Sequence, residues 1–492
     1  MIEPFKIILL GLLLVTSSGA AAPGKKSTSF NAEASLVEIE VTRKAYNYSI
    51  PWRISNQQIR KNGIVISQNR ILTTADGLSD QYLCRIRKGG QSIDYRANIL
   101  WVDYHTNIAL LDVADAAFWK AMRPVKLAEK IPMNGDLKVY RWSSGRIESR
   151  AAEISRLFID QSKTSYVSHF TLAASTEMNA AGWAEVVIHR NGLVGLTSSA
   201  SEGGQLKILP APFIKRILRS LENGDRPVAA FFDFKWMRGK NPALMRYKGF
   251  DREDTGIIIT EIGQQGLSDN TLKVGDILFE VDGFPVDNDG KYIDPDYGRL
   301  SISGLATRSH FAGESIRMKV WRERAELDLN YLLPAADFRK SVIPERCYDQ
   351  PPEYYLAGGL VFQPVSGPLI RALGQSTTLL LDHYYERPPI QEKEGLVLLS
   401  MVLPDTYNQG YEYLRLHLID QINGLPINNL EEVGKALDQP LDGYHRIRFM
   451  SDESMLHIVL DAEELPAATE RILQRYRIPQ QSYIKSSKEF SE

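Results

Sequence analysis

The chain has 492 residues, 43% apolar and 24% charged, and its 58 Lys and Arg against 60 Asp and Glu leave a net charge of -2. That length predicts about three domains, and the apolar share supports packed cores rather than a disordered chain. The charge balance excludes the basic excess of a nucleic-acid binder, and two cysteines exclude both a disulfide-dense scaffold and a four-thiolate zinc site.

Residues 1–22 read as a secretory signal peptide. Lys6 supplies the positive start, Ile7 to Val15 an apolar run broken only by Gly11, and Ser17 to Ala22 small residues suited to cleavage near Ala20 or Ala21. The run is shorter than the roughly 20 residues a membrane span needs. The expectation is an exported protein, periplasmic or secreted, with no integral span after signal removal. Cys84 and Cys347 would then face an oxidising space, unpaired by default, with a disulfide between them left open. Asn47-Tyr48-Ser49 fits a glycosylation sequon.

Over residues 34–226, short alternating runs such as Val37-Glu38-Ile39-Glu40-Val41 and Ala184-Glu185-Val186-Val187-Ile188 are separated by Gly, Asn and Asp. This spacing predicts an all-β barrel or sandwich. Phe213, Ile214, Ile217, Leu218 and Leu221 recur at helical spacing and predict a helix over 210–222. The aromatic run Phe231-Phe232-Asp233-Phe234-Lys235-Trp236 reads as a hinge.

A second unit covers 232–334 and a third 352–465, joined by a linker holding Pro334, Pro344, Pro351 and Pro352. The two units carry an internal repeat. Leu278 to Val286 matches Ile419 to Ile427, and in both copies apolar residues lead into an Asp-Gly or Asn-Gly turn. That is strand, tight turn, strand. A helix over Leu430 to Leu437 follows the second copy. A short helix and a polar tail fill 466–492.

These turns carry a resemblance. Leu272-Lys273-Val274-Gly275-Asp276-Ile277-Leu278, followed by Val281-Asp282-Gly283, resembles the signature of PDZ domains in HtrA/Deg proteases. Asn241-Pro242-Ala243-Leu244-Met245 and Gly256-Ile257-Ile258-Ile259 are similar to the opening of such a domain in the plant-type Deg branch. The third unit resembles that branch's second PDZ, through Tyr354-Tyr355, Gly358 to Phe362 and Gly410-Tyr411-Glu412. The resemblance implies a mainly β chain: a chymotrypsin-like double β-barrel followed by two PDZ-like α+β domains.

It also implies a Ser-His-Asp triad in the barrel, and each locus differs here. Asp76, in Thr73-Thr74-Ala75-Asp76-Gly77, takes the His position. An ordinary carboxylate is a poor general base at neutral pH. Asn107, in Asn107-Ile108-Ala109-Leu110-Leu111, takes the Asp position, and a neutral amide does not stabilise an imidazolium. Ala180, in Met178-Asn179-Ala180-Ala181-Gly182-Trp183, takes the Ser position, with Trp183 where the family has a small turn proline. No Ser, Thr or Cys occurs from Glu177 to Leu196, so no register there supplies a nucleophile. The expectation is a degenerate triad, a pseudoprotease. Histidines are scattered, so no metal site and no cofactor are expected.

Binding then remains. A PDZ domain takes a peptide as an added strand at an exposed sheet edge. The expected host strand is Gly256, Ile257, Ile258 and Ile259, running to Thr260, with the loop Tyr247, Lys248, Gly249 and Phe250 capturing a C-terminal carboxylate. The expected partners are unfolded proteins or C-terminal peptides, with a trimer-based homo-oligomer or association with active relatives as the resemblance implies, and no nucleic acid. The reading is a scaffold, chaperone or regulator. The alternative is an active serine endopeptidase of envelope quality control with a rearranged site.

Overall fold

The computed structural model describes residues 30–179, 181–201, 203–263, 272–374, 395–450 and 457–485. The leader and Ala180 lie outside the described residues. The first lobe is an antiparallel sheet of β1 (Leu36–Tyr46), β2 (Ile54–Ser67), β3 (Arg70–Thr73), β4 (Gln81–Lys88), β5 (Tyr95–Arg96), β6 (Asn98–Asp103) and β7 (Ile108–Asp112), in the order β5-β4-β1-β2-β3-β7-β6. Val37, Ile39 and Val41 alternate into its core beside Ile71, Ile86 and Leu111, as the two-residue period of a strand requires.

The second lobe holds β8 (Lys126–Leu127), β9 (Leu137–Ser143), β10 (Arg146–Gln161), β11 (Ser168–Thr176), β12 (Val186–His189), β13 (Gly192–Ala200) and β14 (Gln205–Pro210). Its order is β12-β9-β10-β11-β14-β13-β8, and β13 pairs back to β12, so this lobe closes into a barrel. The helix Ala211–Glu222 follows. It buries Phe213, Ile214, Ile217 and Leu218 in one core shared by Leu36, Ile64 and Ile108 of the first lobe and Val186 and Leu196 of the second. The two lobes are therefore packed on a common apolar stripe.

The first α+β unit contains β15 (Phe234–Arg238), β16 (Ile257–Ile262), β17 (Ile277–Val281), β18 (Phe284–Pro285), a hairpin of β19 (Lys291–Asp294) and β20 (Gly298–Ser301), then β21 (Ser315–Arg322) and β22 (Ala325–Leu332). The main sheet runs β15-β16-β17-β21-β22, so β15 is an edge. The second unit contains β23 (Tyr354–Ala357), β24 (Leu360–Pro364), β25 (Val397–Val402), β26 (His417–Ile422), β27 (Leu425–Pro426), β28 (Tyr444–Phe449), β29 (His457–Asp461) and β30 (Ser482–Tyr483), in the order β29-β28-β26-β25-β24-β23-β30. The repeated turns sit between β17 and β18 and between β26 and β27. Asp282 and Gly283 have φ of 54° and 78°, and Asn423 and Gly424 have 52° and 79°. Two successive left-handed residues make the tight hairpin for which Asp-Gly and Asn-Gly are suited.

The helix Leu465–Tyr476 belongs to the second unit, because Ile472 packs on Leu356 and Val361. With β30 beside β23, the unit continues beyond 465 to residue 483. The proline-rich stretch expected as a linker is a packed strap. Tyr348 stacks on Tyr104 with centroids 4.0 Å apart and donates to Thr164 O at 2.8 Å. Asp337 N–H donates to Tyr166 Oη at 3.0 Å. From the other side the loop between β1 and β2 enters the second unit: Trp52 meets Tyr354 edge-on, and Gln363 Nε2 donates to Tyr48 O at 3.1 Å. The sequon lies in that loop, where Asn47 Oδ1 accepts from the N–H groups of Ser49 and Ile50.

The shared stripe gives a direct expectation. Ile217→Ala, at a 1% exposed position, should destabilise the barrel by about 2–4 kcal/mol, read from urea unfolding. Arg219→Ala on the solvent face of the same helix should stay within about 0.5 kcal/mol.

Candidate functional site: the altered catalytic centre and a sheet edge

Asp76 follows β3 and Asn107 immediately precedes β7, and these strands are hydrogen-bonded neighbours. The structure therefore brings the two loci together: Asp76 N–H donates to Asn107 Oδ1 at 2.9 Å. Asn107 is fully buried with φ of 57°, a left-handed conformation that Asn tolerates better than most residues. The third locus comes to the same place through Trp183. Its ring lies over Gly77, where an added Cβ would stand 3.5 Å from the indole.

Charges occupy this centre. Lys163, on the turn from β10 to β11, places Nζ 2.5 Å from Asp76 Oδ2 and 4.6 Å from the centroid of Trp183. One ammonium thus serves an ion pair and a cation–π contact. Below it, Lys61 of β2 is 2% exposed, and its Nζ donates to Thr74 O at 2.6 Å, Thr74 Oγ1 at 2.9 Å and Asp76 O at 2.5 Å. Burial pulls Lys61 down to about 7, against the pull of Asp76.

The turn that would form an oxyanion pocket faces inward. Glu185 is 1% exposed, and its Oε2 accepts from Gly182 N–H at 2.7 Å, Trp183 N–H at 3.0 Å and the Thr197 hydroxyl. Donors committed to a buried carboxylate are not aimed at a substrate oxygen.

Neither nearby histidine reaches this centre. His105 Nδ1 lies 2.9 Å from Ser165 Oγ, and its ring stacks on Phe338 of the strap at 4.3 Å. His169 is buried beside Phe213, and burial lowers its pKa. Among the described residues no group of three or more His, Cys, Asp or Glu could hold a metal ion. Cys84 and Cys347 are both free thiols, pushed by burial up to about 11.

The expected peptide host strand is corrected by the sheet order. Ile257, Ile258 and Ile259 lie in β16, which pairs with β15 on one side and β17 on the other, so the strand has no free edge. Their side chains are at most 5% exposed. Gly256 is also committed, its N–H going to Val286 O. The Tyr247–Phe250 loop has no N–H to offer either: Lys248 donates to Leu244 O, Gly249 to Arg246 O and Phe250 to Met245 O, closing the helix Pro242–Tyr247. Lys248 Nζ is held by Gly275 O at 2.7 Å, and Phe250 is core.

Among the described residues, β15 has no strand paired on its outer side. Beside it lies a cavity of about 380 Å³ lined by Phe231, Phe232, Phe234 and Trp236, with Tyr166 and Ser168 of the barrel opposite. Sequence reasoning took this run as a hinge. The signal that identifies a strand is the alternation Phe232-Asp233-Phe234-Lys235-Trp236, apolar and polar in turn. In the second unit the strand corresponding to β15 is β24, and its outer side is already covered by β23.

The buried ammonium makes a pH prediction. Lys61 in the unfolded chain titrates near 10.4. Between about 7 and that value the unfolded chain holds a proton that the folded protein lacks, so this contribution grows with pH and is lost as pH falls through about 7. Relative to Lys61→Met, the wild type should gain roughly 1.5 kcal/mol of unfolding free energy between pH 7 and 8.5. Parallel urea curves at the two pH values check this.

Comparison with known proteins accords with this architecture. Residues 343–483 match the PDZ domain family. Over 438 residues the chain is 26% identical to mitochondrial Do-like 3 of Arabidopsis thaliana, covering 87% of this chain and 76% of that protein. It is 24% identical to Protease Do-like 4, mitochondrial, of the same plant, covering 87% and 81%. To Protease Do-like 2, chloroplastic, it is 23% identical, covering 90% and 74%. Among solved structures, a variant of the HtrA-type protease AlgW with a decapeptide shares the fold, with 13% identity and a TM-score of 0.50 over 62% of this chain and 95% of that one. The chain is thus similar along most of its length to Do-like proteases, shares the fold of an HtrA-type protease, and carries a PDZ match over its second α+β unit.

Proposed function

We propose that the protein is a non-catalytic member of that group, a peptide-binding scaffold, chaperone or regulator. The observation that carries this reading is the Asp76–Lys163–Trp183 stack: an ion pair and an indole fill the space that a base and a substrate need. The inward donors to Glu185 support it. Purified protein should leave casein intact and take no label from a serine-directed phosphonate.

A second reading rests on one contact. Ser165 Oγ and His105 Nδ1 are 2.9 Å apart, the spacing of a hydrolytic dyad. Ser165 is 3% exposed and its Oγ already accepts from Val167 N–H, so the first reading is favoured. Labelling at Ser165 would support an endopeptidase.

The binding element is the free edge of β15, where an extended segment of an unfolded protein or a C-terminal peptide adds as a strand against Phe232, Phe234 and Trp236. A solved HtrA-type structure with a decapeptide supports this reading. The second PDZ offers less, since β23 and β30 lie where a guest would pair. Phe232→Ala should weaken binding of a fluorescent apolar peptide about tenfold, close to 1.4 kcal/mol, in anisotropy titrations. Tyr247→Ala, 82% exposed in the loop first expected to bind, should leave it unchanged.

The leader is read as directing export, while the relatives carry mitochondrial and chloroplastic names. Among the described residues no helix is long and apolar enough to cross a membrane. Assembly into a trimer-based oligomer, or with active relatives, completes the proposal. Light scattering on the purified protein checks the first of these.

A further inference from the structure

The strap meets the barrel at Asp80, three residues after Gly77 and in a left-handed conformation with φ of 58°. Asp80 N–H donates to Asp349 Oδ1 of the strap at 2.7 Å, and Tyr104 Oη donates to Asp349 Oδ2 at 2.8 Å. Asp349 therefore has a donor for each oxygen. Asp80 does not: its Oδ1 is buried without a hydrogen-bond partner. Asp80 and Asp349, from different parts of the molecule, thus meet at a junction of barrel, strap and second PDZ, and the charge of Asp349 acts on the Asp80 carboxyl.

The groups around Asp80 come from every element packed there. Arg43 and Tyr46 belong to β1, Tyr48 to the loop that enters the second PDZ, and Tyr104 to the β6–β7 turn. Cys347 and Asp349 belong to the strap, with Gln350 offering a backbone N–H, and Tyr483 to β30 near Tyr46. Arg43 supplies the positive charge, but its Nη1 donates to Ser79 Oγ at 3.2 Å. Burial, and then the charge of Asp349, raise Asp80 to about 6 in spite of Arg43.

We propose that the Asp80–Asp349 contact is a pH-sensitive latch, which closes the strap on the barrel in mildly acidic solution and loosens it toward neutrality. A protonated Asp80 no longer opposes the charge of Asp349 and has an O–H to donate. The sign follows from linkage. A carboxyl free in solution titrates near 3.9, so the docked state holds the proton more tightly than the released state. The contribution to docking is full below about 4 and is lost as pH rises through about 6. A separation of two units corresponds to a change of at most about 100-fold in the closed-to-open ratio.

Hydrogen–deuterium exchange of the intact protein, corrected for intrinsic rates, tests this. Protection across residues 337–353 should fall about 10-fold between pH 5 and 7.5, with a midpoint near 6. Asp80→Asn should stay near its pH 5 protection throughout. Tyr104→Phe should lower protection at every pH and keep the slope. Strand Ile108–Asp112 in the same spectra reports whether each variant is folded. A flat wild-type profile overturns the latch. So does a folded Asp80→Asn variant that keeps the wild-type slope. If that variant unfolds, the wild-type midpoint decides: near 6 supports the latch, and its absence overturns it.

Discussion

A lysine ammonium with almost no access to water organises the altered centre. Lys61 satisfies its three protons on Thr74 and Asp76, which ties the turn after β3 to the floor of the first lobe. An unpaired charge there would be prohibitive, so the acceptors must stay in place. Because they stay, Asp76 projects where Lys163 can pair with it, and Lys163 in turn lies on Trp183. The strap then docks on the neighbouring residues of the same two turns, Asp80 on one side and Thr164 and Tyr166 on the other.

The barrel and the first PDZ are not independent bodies. Phe170, Leu172 and Val187 of the second lobe share one apolar cluster with Ile257, Leu305, Met318 and Tyr331. Thr307 Oγ1 donates to Ser168 O, and Arg216 donates to Thr307 O and His310 O. The groove beside β15 is therefore bounded partly by barrel residues. On the proposed reading a guest strand there would touch both domains, so its affinity would depend on the interdomain contact as well as on the first α+β unit.

Local features were legible in the sequence, and those set by distant partners were not. The Asp-Gly and Asn-Gly turns, the helix over 211–222 and the alternation in β1 each depend on neighbouring residues, and the structure has them. The positions of Asp76 and Asn107 could be aligned from short phrases. Their mutual contact depends on pairing between β3 and β7, which the phrases do not encode. The choice of β16 as a peptide host failed for a related reason. Ile257 to Ile259 have the composition of a strand, but whether a strand is an edge is decided by what pairs beside it, and β15 was hidden in an aromatic run. Lys163 gave no local signal, because its partner Asp76 lies 87 residues away.

The loop between β1 and β2 gives the chain the topology of a closed circuit. The path runs from the barrel through the first PDZ and the strap to the second PDZ, whose Tyr354 and Gln363 return to Trp52 and Tyr48 of the barrel. Each contact in such a ring is made at the high effective concentration set by the others. Cutting the strap would therefore not free the second PDZ, and swinging that domain outward would require breaking the return contact at the same time. The tethered domains behave mechanically as one ring, and the arm of a ring moves far less than the arm of an open string of beads.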